Sequence, residues 1–404
     1  MNVWIAGNGL VFPHGNASTN RLVEIAKGFE SNGCKVKLIP MGVDKKSPSQ
    51  KKGIYKQIKF QFITNIVEKS SSVQTVFNPY FYAKKTSKQL SIVALNDKVD
   101  YIFCGSSSLY TIFLLYFTSL NLNIKFIYDI VEDPFSSWIA KDTKAFSLIK
   151  WGQHLINLIN IPFYYFYAWR LPDYLSVITN EQKNKLIKLR INSQLISIIP
   201  ILKYFQKNEN HEYTNGKIDN DVLIHSGSTY FPKDGIQLIL DAIKIVVSKG
   251  INIKLELYGP IGKIERIKIN RFICNNKLEQ NIKIYGLVEL DFLFKRQSQA
   301  LALICFKPLI KQNRYNFATK IIDYLDAERP VILSDLPEYT QYFITKKNAI
   351  ICNEITAVSL AQNIGFLYRN PEIANIIGRN GKKTLSTKFN ATFHISHLLE
   401  KLSD

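Results

Sequence analysis

Acidic residues are scarce in this chain. Its 404 residues hold 32 Asp and Glu against 52 Lys and Arg, a formal net charge of +20. The first half carries the larger share of that excess. Such an imbalance points to polyanionic partners: nucleic acid, an anionic membrane surface or phosphorylated small molecules. Part of it is ordinary solubility charge in a lysine-rich protein. No helix-turn-helix, RNP or zinc pattern is present to support nucleic acid. Cysteine is sparse too. Cys34, Cys104, Cys274, Cys305 and Cys352 are scattered, four of them in apolar strand-like surroundings, and no Cys-x-x-Cys pair exists. Reduced core thiols and a cytoplasmic location are expected. Long hydrophobic runs are missing as well. Tyr101 to Ile124 is uncharged, but Gly105-Ser106-Ser107-Ser108 interrupts it and leaves an apolar run too short to cross a bilayer. A strand, a turn and a buried helix fit it better. Met1 to Gly7 reads as a first strand rather than the charged leader and apolar core of a signal peptide. Gly7-Asn8-Gly9 has no third glycine of a dinucleotide fingerprint, which argues against a nicotinamide cofactor.

What the chain does have is apolar content of 46%, which excludes disorder. Its length exceeds one typical core, so two domains are expected. The opening reads as strand, loop, helix, strand: Val3 to Ala6, a glycine-containing loop, a helix from Ala17 to Glu30, and Lys35 to Pro40. Further strands are expected at Tyr101–Cys104, Lys125–Asp129, Asp173–Thr179 and Ile196–Pro200. The stretch Gln206 to Asp221 is polar, without apolar periodicity, and reads as a linker. Asp219-x-Asp221 within it mimics a metal motif, but in a polar linker it reads as accidental. Val222–Ser228, Lys254–Gly259, Ile282–Gly286, Ala302–Phe306 and Val331–Ser334 alternate with helical patterns, as a second doubly wound α/β domain requires.

The most specific stretch is Asn316 to Pro330. A strand runs into it, a helix with Ile321, Ile322, Tyr324 and Leu325 at near-helical spacing fills it, and a strand follows. Thr319 is a candidate N-cap, and a helix start after a strand favours an anion. The run resembles the donor-binding signature of family 4 retaining glycosyltransferases, roughly Phe-Pro-x-Lys-Leu-x-Glu-Tyr-Leu-Ala-x-Gly-x-Pro-Val. Phe317, Lys320, Tyr324, Leu325, Pro330 and Val331 stand in register, with Asp323 in place of Glu. Ala318 replaces Pro, Glu328 replaces Gly, and Tyr315 stands where many members carry a second Glu. Other matches follow in order. Pro13-His14-Gly15-Asn16 with Asn20-Arg21 is similar to the family's opening loop and helix. Ser226-Gly227-Ser228 with Lys233-Asp234-Gly235 is similar to the start of its second domain, where the usual Arg before the Lys is missing.

The resemblance implies the GT-B fold: an acceptor-side Rossmann-like domain over residues 1–205, a linker over 206–221, a nucleotide-sugar domain over 222–385, and a helix in 386–404 returning to the first domain. It implies transfer of a sugar, of hexosyl type, from a nucleotide-diphosphate donor to a glycan or lipid-linked acceptor with retention, as in bacterial surface polysaccharide synthesis. The donor is a co-substrate, and no metal or other cofactor is expected. The donor site then comprises Gly15, Gly227, Ser228, Lys233, Gly259, Leu287, Phe317, Ala318, Thr319, Lys320 and Asp323. Lys233 and Lys320 oppose the diphosphate, and Asp323 accepts hydrogen bonds from ribose hydroxyls.

Two acids leave both readings open. Asp129 and Glu132, at the carboxyl end of a strand, could face the ligand and take part in catalysis, or serve as turn acids. The aromatic zone Phe146–Tyr174, with Lys144, Lys150 and Arg170 interspersed, is either domain core or an interfacial surface for the inner face of the cytoplasmic membrane. The rival functions are a non-catalytic partner keeping the same fold, motivated by Tyr315, Glu328 and the missing Arg, and a nucleotide-sugar epimerase.

Overall fold

The computed structural model describes residues 1–11, 15–41, 52–63, 79–131, 160–206 and 217–403. They form two α/β units, Met1–Tyr204 with Asn390–Asp404, and Phe205–Phe389.

The first unit is built on strands β1 (Asn2–Gly7), β2 (Lys35–Pro40), β3 (Lys52–Tyr55), β4 (Ile58–Gln61), β5 (Tyr101–Cys104), β6 (Lys125–Ile130), β7 (Tyr174–Val177) and β8 (Ile196–Ile198). Their order across the sheet is β3-β4-β2-β1-β5-β6-β7-β8, with every pairing parallel except β3 with β4. The β3–β4 hairpin was not legible in sequence. Its turn, Lys56-Gln57, takes positive φ at both residues without the Asn-Gly signal that usually marks such a turn.

Side-chain caps start two of the helices that flank this sheet. Asn16 accepts from the Thr19 amide at the head of Ala17–Ser31, and Ser108 accepts from the Thr111 amide at the head of Leu109–Leu122. The Leu109–Leu122 helix is apolar on most sides because it is buried on most sides, as the interrupted run suggested. Among the described residues no helix is long and apolar enough to cross a membrane. The helix Ala391–Ser403 packs on Ala17–Ser31. Gly28 permits this approach: a Cβ there would sit 2.7 Å from Ile395 and 3.0 Å from the Ala391 carbonyl.

The second unit carries β9 (Asp219–Ser226), β10 (Lys254–Tyr258), β11 (Ile282–Gly286), β12 (Ala300–Cys305), β13 (Val331–Ser334) and β14 (Ile350–Cys352). All are parallel, in the order β11-β10-β9-β12-β13-β14. The order reverses between β9 and β12, so the carboxyl ends of these two strands form the switch point where open α/β sheets take ligands. β12 is buried on both faces, which explains its unbroken apolar sequence. β9 begins inside the stretch read as linker. Its first residues are held by ion pairs, Asp219 with Arg296 and Asp221 with Lys254. Residues 207–216 of that stretch lie outside the described residues. Cys34, Cys104, Cys305 and Cys352 are buried and Cys274 is exposed, all as free thiols.

Candidate functional site

The strand ends of the second unit converge on bare backbone. β9 runs out into Gly227 (φ +101°), β10 into Gly259 (φ +113°), and β11 ends at Gly286. The Gly227 amide donates to the Tyr258 carbonyl, and the Gly259 amide donates to that of Gly286. A Cβ on Gly259 would lie 2.4 Å from the Gly227 oxygen, so this approach requires glycine as well as the left-handed backbone. Leu287 follows on the rim and is 77% exposed.

Charged side chains gather beside this glycine rim. Lys320 keeps part of its surface in solvent, but its amine packs against Gly227 and lies 3.3 Å from His225 Nε2. Lys307, two residues past the end of β12, is buried and reaches Asp234 at 3.6 Å. Asp234 is buried, and burial works to raise its pKa. The charges of Lys307 and Lys320, together with smaller contributions from His225 and the Ser228 hydroxyl, outweigh that and hold the carboxyl below its ordinary range. The Lys320 amine is pushed down, first by burial and then by Lys307 and Lys233, against the opposing pull of Cys305 and Asp234. Burial, then the Lys320 charge, lowers His225 to about 3. Lys307 and Lys320 thus act on the Asp234 carboxylate, and Lys233 and Lys307 act on Lys320, with His225 neutral. Lysines gathered at a switch point are chemistry for an anion.

The residues predicted from sequence fall in different places. Gly227, Ser228, Gly259 and Lys320 come together at the strand ends, and Lys233 lies within electrostatic reach of Lys320. Thr319 is not an N-cap. Its φ and ψ are helical and its side chain makes no capping hydrogen bond. The Ile321 and Ile322 amides instead close tight turns onto the Ala318 and Thr319 carbonyls. Phe317 and Ala318 are buried, and the Phe317 ring packs against Tyr339, Tyr342 and Phe389, so its side chain serves the core. Asp323 is half-buried in the first turn of Lys320–Asp326. Tyr324 of the same helix accepts from the Ser226 amide at 2.7 Å and fastens the helix to the end of β9.

Gly15 and Asp129 belong to the first unit. Gly15 sits in the loop leading to the Asn16 cap, with φ +71°. The reading of Asp129 as a ligand-facing acid is corrected. Its carboxylate is buried, accepts from Arg21 Nε and Nη2 at 2.9 Å each, and from Ser176 Oγ at 2.7 Å. Arg21 also donates to the Pro200 and Ile199 carbonyls. The pair fastens the first helix to β6 and to the chain after β8. Glu132, Lys144 and Lys150 lie outside the described residues.

His225, Asp234 and Lys307 were missed as site residues. His225 and Asp234 stand inside the motifs that were recognised. Lys307 had one available signal, its place directly after an apolar strand.

Residues 220–370 match the family model described as Glycosyl transferases group 1. Solved structures match over the whole chain. HepE from Anabaena, solved in complex with UDP, has a TM-score of 0.68 at 13% identity, covering 100% of each chain. Sucrose-phosphate synthase from Thermosynechococcus elongatus has a TM-score of 0.69 at 12% identity, covering 99% of this chain and 98% of its own. TarM from S. aureus, in a complex containing UDP and alpha-GlcNAc-glycerol, reaches 0.66 at 12% identity, covering 100% of each chain. No curated protein matches the chain in sequence. The chain has the GT-B glycosyltransferase fold, and its second unit carries the group 1 sequence pattern. Within this GT-B framework the matched stretch holds β9 to β14, and with them the glycine rim, Lys233, Lys307 and Lys320.

Proposed function

We propose that the protein transfers a sugar from a nucleotide-diphosphate donor to a glycan or lipid-linked glycan acceptor, with retention of configuration. The observation that carries this is the Lys320 amine against the bare Gly227 backbone at the switch point of the second sheet, with Lys307 and Lys233 within electrostatic reach of it. In such a transfer the bond from the anomeric carbon to the diphosphate oxygen breaks, and a bond to the acceptor oxygen forms on the same face of the sugar. The diphosphate leaves with the bonding electron pair, and its new charge must be met where it develops. In this reading Lys233 and Lys320 meet it. The acceptor proton passes to a phosphate oxygen of the donor, so no dedicated protein base is needed. Asp323 accepts hydrogen bonds from the ribose hydroxyls.

A thermal-shift screen against nucleoside diphosphates and nucleotide sugars tests this reading. A ligand at a hundredfold over its Kd adds about 2.7 kcal/mol of stability. The anomeric configuration of the product, read by NMR, tests retention.

The acceptor side of the proposal is a lipid-linked saccharide at an anionic membrane surface, as in bacterial surface polysaccharide synthesis. Within the first unit, Phe166 is 66% exposed, and Tyr167 and Arg170 are exposed beside it. Tyr80 packs on Tyr167, and Lys84, one turn along the same helix, is exposed. Aromatic rings beside cations suit the headgroup layer. The rest of the zone is less available, because Tyr164 and Trp169 are buried. Flotation with anionic vesicles, weakened by salt and by Phe166→Ser with Arg170→Gln, is the expected result. Equal recovery with neutral and anionic lipid would remove the anionic surface from the account.

A further inference from the structure

His225 stands next to the end of β9 with its ring buried. Its Nδ1 lies 3.0 Å from the Ile304 carbonyl oxygen of β12. Its Nε2 lies 3.3 Å from Lys320 Nζ and 3.2 Å from the Ser228 carbonyl oxygen. A doubly protonated ring would point an N–H at the ammonium. A ring protonated on Nε2 alone would do the same, and would turn a lone pair on Nδ1 toward the lone pairs of a carbonyl. A ring protonated on Nδ1 alone donates to Ile304 and offers its Nε2 lone pair to Lys320; it leaves the Ser228 carbonyl, 3.2 Å from Nε2, without an imidazole donor, a smaller cost than an N–H aimed at an ammonium. The other groups around the pair do not supply this acceptor. Lys307 and Lys233 repel the ammonium. Asp234 attracts both members but lies 3.6 Å from Lys307, its nearest ion-pair partner, and the Cys305 thiol is a weak acceptor at best. A Cβ on Gly227 would meet Lys320 Cε and Nζ at 3.2 Å, so the amine held by His225 lies directly over that bare backbone.

We propose that His225 is a positioning residue: as the neutral Nδ1–H tautomer it accepts a hydrogen bond from Lys320 and fixes that ammonium over Gly227 at the ligand end of β9. One of the three ammonium hydrogens is committed to the ring, which orients the other two. The assignment rests on the reading of this site as a diphosphate site. It adds to that reading the means by which a flexible side chain becomes a fixed donor, since a preorganised group loses less on binding than a mobile one.

The first arm of the test needs no ligand. Nitrogen-15 NMR of the histidine-labelled chain reads the His225 tautomer, with Nδ1–H expected. The titration of the Lys320 amine, followed by pH-dependent acetylation and mass spectrometry, should shift to lower pH in His225→Leu. It should return toward wild type in His225→Gln, whose amide oxygen can stand where Nε2 stands. The second arm uses UDP. Its Kd should rise about tenfold in His225→Leu and stay within about threefold in His225→Gln. The loss should grow as pH rises, because Lys320 gives up its proton earlier. An Nε2–H tautomer overturns the proposal whether or not UDP binds, and that measurement uses the unaltered chain. An unchanged Lys320 titration in His225→Leu overturns it as well. The expected tautomer and titration in a chain that binds neither UDP nor any other nucleoside diphosphate would support the pairing and overturn the diphosphate reading.

Discussion

Replacing Arg21 by Leu should destabilise the first unit without touching the chemistry of the second. Arg21 is buried and donates four hydrogen bonds, two to the Asp129 carboxylate and one each to the Pro200 and Ile199 carbonyls. Its loss leaves Asp129 buried with Ser176 as a donor but no cation, and strips two carbonyls of a partner. Breaking one half of a buried ion pair costs about 3–5 kcal/mol. Unpartnered carbonyls that water cannot reach add about 1–3 kcal/mol between them, and water entry offsets part of this. The expected loss is therefore about 3–6 kcal/mol. Urea unfolding followed by a probe in the first unit measures it, since a chain of two units need not unfold in one step. Adding Asp129→Leu should recover part of the loss, because the uncompensated charge goes with it. A single-variant loss below about 1 kcal/mol would refute the fastener reading. So would an Asp129→Asn variant that keeps full stability but loses turnover, which would return Asp129 to catalysis.

Glu328 occupies left-handed backbone at φ +55°, where the family pattern has Gly. Glu328→Gly should therefore raise stability by about 0.5–1 kcal/mol, the relief of strain less the entropy of a freer unfolded chain, measured by urea titration. Asp323→Ala should weaken nucleotide binding by about 1–3 kcal/mol while Asp323→Glu retains it; equal binding by both would make Asp323 a surface acid. His225 has a folded pKa of about 3, below its ordinary value near 6.5. The unfolded chain binds the extra proton between these values, so the contribution of His225 is complete above about pH 6.5 and is lost as pH falls toward 3. His225→Gln should flatten that acid limb of the stability profile, read as unfolding midpoints from pH 7 to 4.

The second sheet was legible because β12 and β13 are apolar runs, as parallel strands buried on both faces must be, and because β9, β10 and β11 each run out into glycine. The expected bounds of β10, β11 and β13 agree with the structure to within a residue. The β3–β4 hairpin was not legible, because Lys56-Gln57 takes a turn its residue types disfavour. Lys233 and Lys320 stood out by their place in the signature. Lys307 did not, since a lysine after a strand has many uses and only the fold sets it against Asp234. His225 was hidden differently. One histidine in an apolar strand reads as core, and its contact with Lys320 spans 95 residues of sequence. Asp129 stayed open between two readings because a strand-end acid in an α/β sheet carries the same local signal whether it meets a ligand or an arginine from another element.

The central claim is that the lysines of the second unit bind a nucleoside diphosphate. Calorimetric titration with UDP, UMP and uridine tests it most directly, at two salt concentrations and repeated with Lys233→Ala. The account predicts UDP tightest, an affinity that falls with salt, and a weaker Kd in the variant with the fold intact. Binding that is equal for UDP and uridine, or unchanged in Lys233→Ala, would contradict it.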